Sequence, residues 1–333
     1  MMGRIVPGKR CLVTALMTWG VLTCGYCAAA DWKPDKRVVE VVVPNVPGGG
    51  NDRIVRLVIK IAQERRLVDA IMNVVNKPGA GTVMGLTYLN QHQGDGNYIG
   101  IISATFTGDY VTGRSTFGPG DITPIAQLFS ESVAFAVKPD SGIKSAQDLL
   151  ARLKADSASI STSIAGGAGN HNHIALALVA RAAGGDVRKL KIVRFNGGAE
   201  SITAALGGHV DMVVTPTATA LPHVQGGRLR LLAITAPRRV PGAYASVPTW
   251  KDVGANVVVA NWRAIVGPRG MTGPQVAFWE NVLSRVVQDG EWKQMLERDS
   301  LEGDFLKSGE TRAQLTAELE ELKTIMGELG LVK

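Results

Sequence analysis

Four glycine-bearing loops hold most of the residues that could do chemistry. They are Pro47-Gly48-Gly49-Gly50-Asn51-Asp52, Lys77-Pro78-Gly79-Ala80-Gly81, residues 165–170 and Asn196-Gly197-Gly198. Each follows an apolar run and precedes a segment with helical spacing. A helix N-terminus offers unpaired N–H groups and the positive end of the helix dipole, so it binds an anion without a charged side chain. Two such ends from each half of the chain could hold a ligand with two or more carboxylates. Asn51, Thr82, Ser103, Thr105, Asn170 and Asn196 add neutral hydrogen-bonding groups. One glycine loop alone does no more than ease a turn. Four loops in equivalent places favour a shared function.

Other chemistries find less support. Gly79, Gly81 and Gly85 miss the dinucleotide fingerprint by one residue, and no acidic residue follows at the right place. Ser141-Gly-Ile-Lys144 matches S-x-x-K, with Lys307-Ser308-Gly309 as a loose partner, but Ser141 sits in a Pro-Asp-Ser-Gly turn and not at the start of a core helix. No G-x-S-x-G is present, and no nucleophile stands beside a convincing base. His171 and His173 form an H-x-H pair without a clear third ligand; such histidines at a helix start usually pack or hydrogen-bond. Trp250, Trp262, Trp279 and Trp292 read as packing residues, and Asp211 as a carboxylate satisfied by its loop. No catalytic residue, metal or cofactor is expected.

The elements that must position the loops alternate between strand and helix. Strands are expected at 38–43, 71–75, 98–103, 160–163, 191–195, 210–214 and 229–235, with helices starting near 52, 82, 145, 174 and 199. Ser145 with Asp148 three residues on has the form of a capping box. This alternation predicts mostly parallel sheets with crossover helices. Open parallel sheets bind ligands at the C-terminal ends of their strands, where these loops lie. Residues 125–137 form a long apolar segment able to cross between domains, and 273–331 is mainly helical.

The 333 residues leave room for two domains. Apolar residues make up 45% and charged residues 20%, an ordinary globular balance. Arg4, Lys9 and Arg10 precede a broken apolar stretch and then Ala28-Ala29-Ala30. This is the pattern of a signal peptide, with cleavage expected after Ala30. Thr23 and Tyr26 are poor residues before a lipidated Cys24 or Cys27. All three cysteines lie in the leader, so a mature chain would lack disulfides and thiol chemistry. Removing the leader takes the formal charge from +7 to +4. No long basic run supports nucleic-acid binding.

The order of these segments resembles the tripartite tricarboxylate transporter substrate-binding proteins, the Bug or TctC family. The matching pieces include Val43-Pro-Asn-Val-Pro-Gly-Gly-Gly-Asn-Asp52, Asn76-Lys-Pro-Gly-Ala-Gly81, Ala165-Gly-Gly-Ala-Gly-Asn-His-Asn-His-Ile174, Phe195-Asn-Gly-Gly-Ala-Glu200, Ala205-Leu-Gly-Gly-His-Val-Asp211 and Asn261-Trp-Arg-Ala-Ile265. The resemblance implies an α/β fold of the periplasmic binding protein type II (Venus flytrap) kind, with two doubly wound domains that close by hinge motion. The expected division is 31–134 with 236–333, and 135–235. It also implies a binding protein, not an enzyme. A periplasmic monomer would capture a small di- or tricarboxylate such as citrate and deliver it to one large and one small integral membrane subunit. An aromatic acid ligand, a sensor role and a secreted hydrolase are the rival readings. The expected ligand shell is Asn45, Gly49, Gly50, Asn51, Asp52, Gly79, Ala80, Gly81, Thr82, Ser103, Thr105, Gly167, Gly169, Asn170, His173, Asn196, Gly197 and Thr215. The chain departs from the family pattern at His171-Asn172-His173 and at Ala264.

Overall fold

The computed structural model describes residues 1–3, 32–79, 82–195 and 197–331. All but the first three residues of the expected leader lie outside them, as do Ala80, Gly81 and Asn196 of the expected shell. The first strand, β1 (Val38–Val43), shows why the apolar run folds as it does. Val39, Val41 and Val43 face one way and pack with Val55 and Val58 of α1 (Gly50–Glu64). Val42 faces the other way and packs with Leu86 and Leu89 of α2 (Val83–Asn90). A strand covered on both faces has to be apolar almost throughout, and each buried valine contributes about 1.5–3 kcal/mol.

β2 (Ile71–Asn76) and β3 (Tyr98–Ser103) flank β1 in parallel, with Val38 opposite Ile71 and Glu40 opposite Tyr98. α3 (Thr105–Val111) then leads towards β4 (Ile122–Phe129), and residues 130–132 carry the chain to a second sheet. That sheet contains β5 (Val133–Val137), β6 (Ser161–Ala165), β7 (Lys191–Phe195), β8 (Met212–Pro216) and β9 (Arg230–Ile234). Between them run α4 (Ala146–Ala155), α5 (His171–Ala183), α6 (Gly198–Leu206) and α7 (Thr217–Gln225). The chain returns to the first sheet with β10 (Arg263–Pro268) and ends in α8 (Gly273–Val286), α9 (Gly290–Arg298), the short β11 (Leu306–Lys307) and α10 (Ser308–Glu328).

The strand orders are β11-β4-β10-β3-β1-β2 and β7-β6-β8-β5-β9. Both contain the same unit: a central strand between two parallel neighbours, then an antiparallel strand, β10 beside β3 and β5 beside β8. The sheets are therefore mixed, not mostly parallel. Parallel pairing is confined to the strand–loop–helix repeats, which have the helical crossover it requires. β10 and β5 arrive straight from the other sheet and pair antiparallel.

Two features tie the sheets together. Residues 240–257 stay with the second sheet after β9: Val240, Tyr244 and Val247 pack with Ala134, Ala220 and Ile234, and Trp250 meets Phe135 edge-on at 4.9 Å. The two crossing segments then run side by side, with Asn261 N donating to Glu131 O at 2.8 Å. Helix α10 spans both cores. Leu315 packs with Phe106 and Trp262 of the first, while Leu322, Ile325 and Met326 pack with the core of the second. All four tryptophans expected to pack are fully buried or nearly so. Asp211 accepts from Ser161 N at 2.8 Å, as its loop position predicts. Ser145 caps α4 by accepting from Asp148 N at 3.1 Å. Among the described residues no helix is long and apolar enough to cross a membrane.

Candidate functional site

The C-terminal ends of the parallel strands from both sheets open on one cavity of about 830 Å³. The first sheet contributes Asn45, Asn51, Thr82, Ser103 and Thr105; the second contributes Gly166, Gly167, Asn170, Gly197, Gly198 and Pro216. Four helices of eight or more residues begin here: α1 after Gly49, α2 after Thr82, α6 after Gly197 and α7 after Pro216. In none of them does the preceding residue supply a side-chain cap. The first N–H groups of α1, α2 and α6 lack the usual Ser, Thr, Asp or Asn oxygen, whereas α7 already donates Thr217 N to Ser132 O and Ala218 N to Glu131 Oε1, each at 3.0 Å. Thr82 and Thr215 also carry buried hydroxyls with no partner among the described residues.

The first loop is built around a buried anion that is not aimed at a ligand. The Asp52 carboxylate accepts from Gly48 N at 2.9 Å, Arg56 Nε at 2.8 Å and Asn76 Nδ2 at 2.9 Å. Arg56 above all, with Asn76 and Gly48, holds its carboxyl down at about 2 against the cost of burial. Gly48 has φ of 78°, which a residue with a Cβ adopts at a cost. Asp52 thus braces the turn that presents Asn51, whose Nδ2 donates to Asn45 Oδ1 at 2.7 Å. Because folding depresses this carboxyl, its contribution is complete above about pH 4 and is lost as pH falls towards 2. Asp52→Asn is expected to weaken the native state by ~1–2 kcal/mol at pH 7 and less at pH 3, since the exposed Arg56 is solvent-screened; urea unfolding at the two pH values checks this.

The third loop differs, because α5 is capped. Asn170 Oδ1 accepts from His173 N at 3.0 Å, and Asn170 Nδ2 donates to Ala165 O at 2.6 Å. His173 Nδ1 accepts from Gly169 N at 3.0 Å. Burial, reinforced by Arg194, pushes the His173 imidazole down to about 4, so it is neutral at physiological pH. His173 therefore braces the loop from behind. His173→Ala is expected to cost about 1–3 kcal/mol in stability, the penalty for a buried donor left unpaired. It should weaken all ligands by one common factor; affinities measured by calorimetry for several acids would expose any change of preference.

Asn45, Asn51, Thr82, Ser103, Thr105, Gly167, Asn170 and Gly197 of the expected shell line the cavity. Gly50 lines a neighbouring cavity with Arg53 and Arg263, and Gly169 a smaller one under α10. Asp52 and His173 are buried braces, Thr215 is buried behind Pro216, and Gly49 and Gly79 stand off the lining. The sequence reading missed Asp109 and Arg114, the charged side chains among the cavity's described lining residues. They pair at 2.7 Å. Burial raises the Asp109 carboxyl, and Arg114 opposes that rise. His171 lies between the main and smaller cavities, and neither ring nitrogen has a partner among the described residues. No group of three or more His, Cys, Asp or Glu among the described residues is arranged to hold a metal.

Comparison with known proteins agrees with this architecture. The family described as tripartite tricarboxylate transporter family receptor, TctC, matches residues 54–331. A UPF0065 protein from the gbd 5' region of Cupriavidus necator is 28% identical over 308 residues, covering 92% of this chain and 91% of the relative. Protein BugT of Bordetella pertussis is 24% identical over 323 residues, covering 93% and 95%. A TctC solute binding protein from Polaromonas superposes with a TM-score of 0.79 at 23% identity, covering 88% of this chain and 98% of that one. MatC from Rhodopseudomonas palustris, solved with bound malate, gives 0.62 at 22% identity, covering 89% and 99%. A second R. palustris protein, solved with adipate, gives 0.69 at 18% identity, covering 88% and 97%. The family is one of solute-binding receptors and not a class of enzymes. With the two-sheet α/β fold and a cavity at the strand ends, the family match across most of the chain establishes that this protein belongs to the tripartite tricarboxylate transporter receptor family.

Proposed function

We propose that this protein captures a small di- or tricarboxylate, of the size of malate, adipate or citrate, in the cavity between its two sheets. One observation carries the reading: three helix N-termini without a side-chain cap, those of α1, α2 and α6, converge on a cavity whose one described carboxylate, Asp109, is paired with Arg114. Backbone N–H groups and helix dipoles there favour a ligand's negative charge. The malate and adipate of two structural neighbours fit the same chemistry. The two sheets mark two domains, with the crossings at residues 130–132 and near 260, and closure of one on the other removes the bound acid from water. Residues 1–30 act as a signal peptide that sends the chain to the periplasm. There a monomer passes its ligand to the large and small membrane subunits of a transporter.

A thermal-shift screen of the mature chain against malate, adipate, citrate, succinate and aromatic acids tests the reading. Ligand at about 100 times its dissociation constant stabilises by ~2.7 kcal/mol. An upward shift with aliphatic di- or tricarboxylates is the expected result. A response confined to aromatic acids, or to none after removal of co-purified ligand, would contradict it.

A further inference from the structure

Arg114 follows α3 on the first-sheet side, yet it reaches across the cavity. Its Nη2 lies 2.7 Å from Asp109 Oδ1, and its Nη1 donates to Ala168 O of the second-sheet loop at 3.4 Å. Gly167 makes room for it: a Cβ there would stand 3.2 Å from Nη1. The guanidinium is the one cationic group among the described residues lining this cavity, and its side chain is 48% exposed. It is therefore accessible from the cavity. The pair is open to water on its arginine side alone, since the Asp109 side chain is 12% exposed, and the bond to Ala168 O is long. The same guanidinium meeting a carboxylate of a desolvated ligand would make charge-assisted, bidentate hydrogen bonds, which are roughly twice as strong as neutral ones.

The helix N-termini are spread over both walls, whereas this point charge sits at one place between them. We propose that Arg114 is a specificity-determining residue that exchanges Asp109 for the second carboxylate of the ligand, so that the cavity selects doubly charged acids over their singly charged analogues. This rests on the reading of the cavity as a carboxylate site and adds the residue that counts the charges. Because Arg114 also touches Ala168 O, the ligand-bound guanidinium would lie against both walls and favour their approach.

The test is calorimetric titration of the wild type, Arg114→Gln and Arg114→Lys with succinate and adipate, each beside its half-amide, succinamate or adipamate. The wild type should prefer each diacid over its half-amide. Arg114→Gln should weaken the diacids by about 10- to 100-fold and the half-amides by under about threefold, the scale of one lost hydrogen bond to a charged group. Arg114→Lys should fall between, keeping the charge without the planar fork. The position is half-exposed, and unchanged melting temperatures of the free variants would show that both fold. An unchanged ratio of diacid to half-amide affinity in Arg114→Gln would overturn the proposal while leaving the carboxylate site standing. A wild type that binds none of the four acids would overturn both.

Discussion

Thr82→Asp is expected to abolish carboxylate binding, by at least ~100-fold, while the protein still folds. Thr82 is the residue before α2, lines the cavity, and makes no side-chain cap. Its hydroxyl is buried and unpartnered. Thr82 has φ of −94° and ψ of −6°, a helical backbone and not the extended one of a capping residue, so an aspartate there would interact favourably with the dipole without capping α2. That interaction contributes about 0.3–1 kcal/mol and offsets part of the cost of burying the charge. A tethered carboxylate would then sit where the ligand's own is proposed to sit and repel it. Binding should be lost and folding kept, and this separates the prediction from ordinary damage. Urea unfolding and calorimetric titration read them independently; loss of binding together with collapse of stability would count against the account, as would binding retained.

The second large effect concerns α10, the helix that packs on both cores. Its Glu318 accepts from Trp262 Nε1 at 2.8 Å. Burial raises the Glu318 carboxyl from 4.5 to about 7. Its folded pKa lies above its unfolded one, so the native state holds the proton more tightly and stability falls as pH rises from about 5 through 7. The full effect is up to about 3 kcal/mol. The histidines act in the opposite direction: burial lowers His171 and His173 to about 4, so their ionisation destabilises the fold as pH falls below 6.5. Between about pH 5 and 6.5 the two effects oppose each other, and above 6.5 the glutamate acts without the histidines. Glu131, Glu302 and Asp304, also raised by burial, add to its trend. Glu318→Gln keeps an acceptor for Trp262 and removes the charge. Its expected result is a gain on the order of 2 kcal/mol at pH 8 and little change at pH 5, measured by urea unfolding. Equal effects at both pH values would show that Glu318 is not protonated in the native state near neutrality.

Much of this architecture was legible because its repeats are simple. The run at 38–43 is apolar on alternating faces and ends at Pro44, and each parallel strand is followed by glycine and then helical spacing. Elements without that signal were missed. α3 is seven residues, Thr-Phe-Thr-Gly-Asp-Tyr-Val, too short and polar to show a period. α7 contains Pro222 and begins Thr-Ala-Thr, so it reads as a loop. β8 was expected at 210–214 but runs Met212–Pro216, because the turn after Gly208 continues until Asp211 has bonded Ser161. The site suffered from the same cause. Asp109 and Arg114 reach the cavity only through α3, and no spacing in the sequence announces them. Asp52 and His173 carry the opposite lesson. A polar residue in a glycine loop reads alike whether it faces a ligand or braces the backbone, and three-dimensional contacts decide between the two.

The most direct test of the helix-terminus site is a titration of the ¹⁵N-labelled mature chain with a diacid, followed through its backbone amides. The account predicts that the largest shifts fall on the N–H groups opening α1, α2 and α6, with smaller ones at the starts of α5 and α7, where Asn170 and Glu131 already accept from the first turn. Saturable shifts confined to the cavity under α10, or to surfaces away from the strand ends, would contradict it.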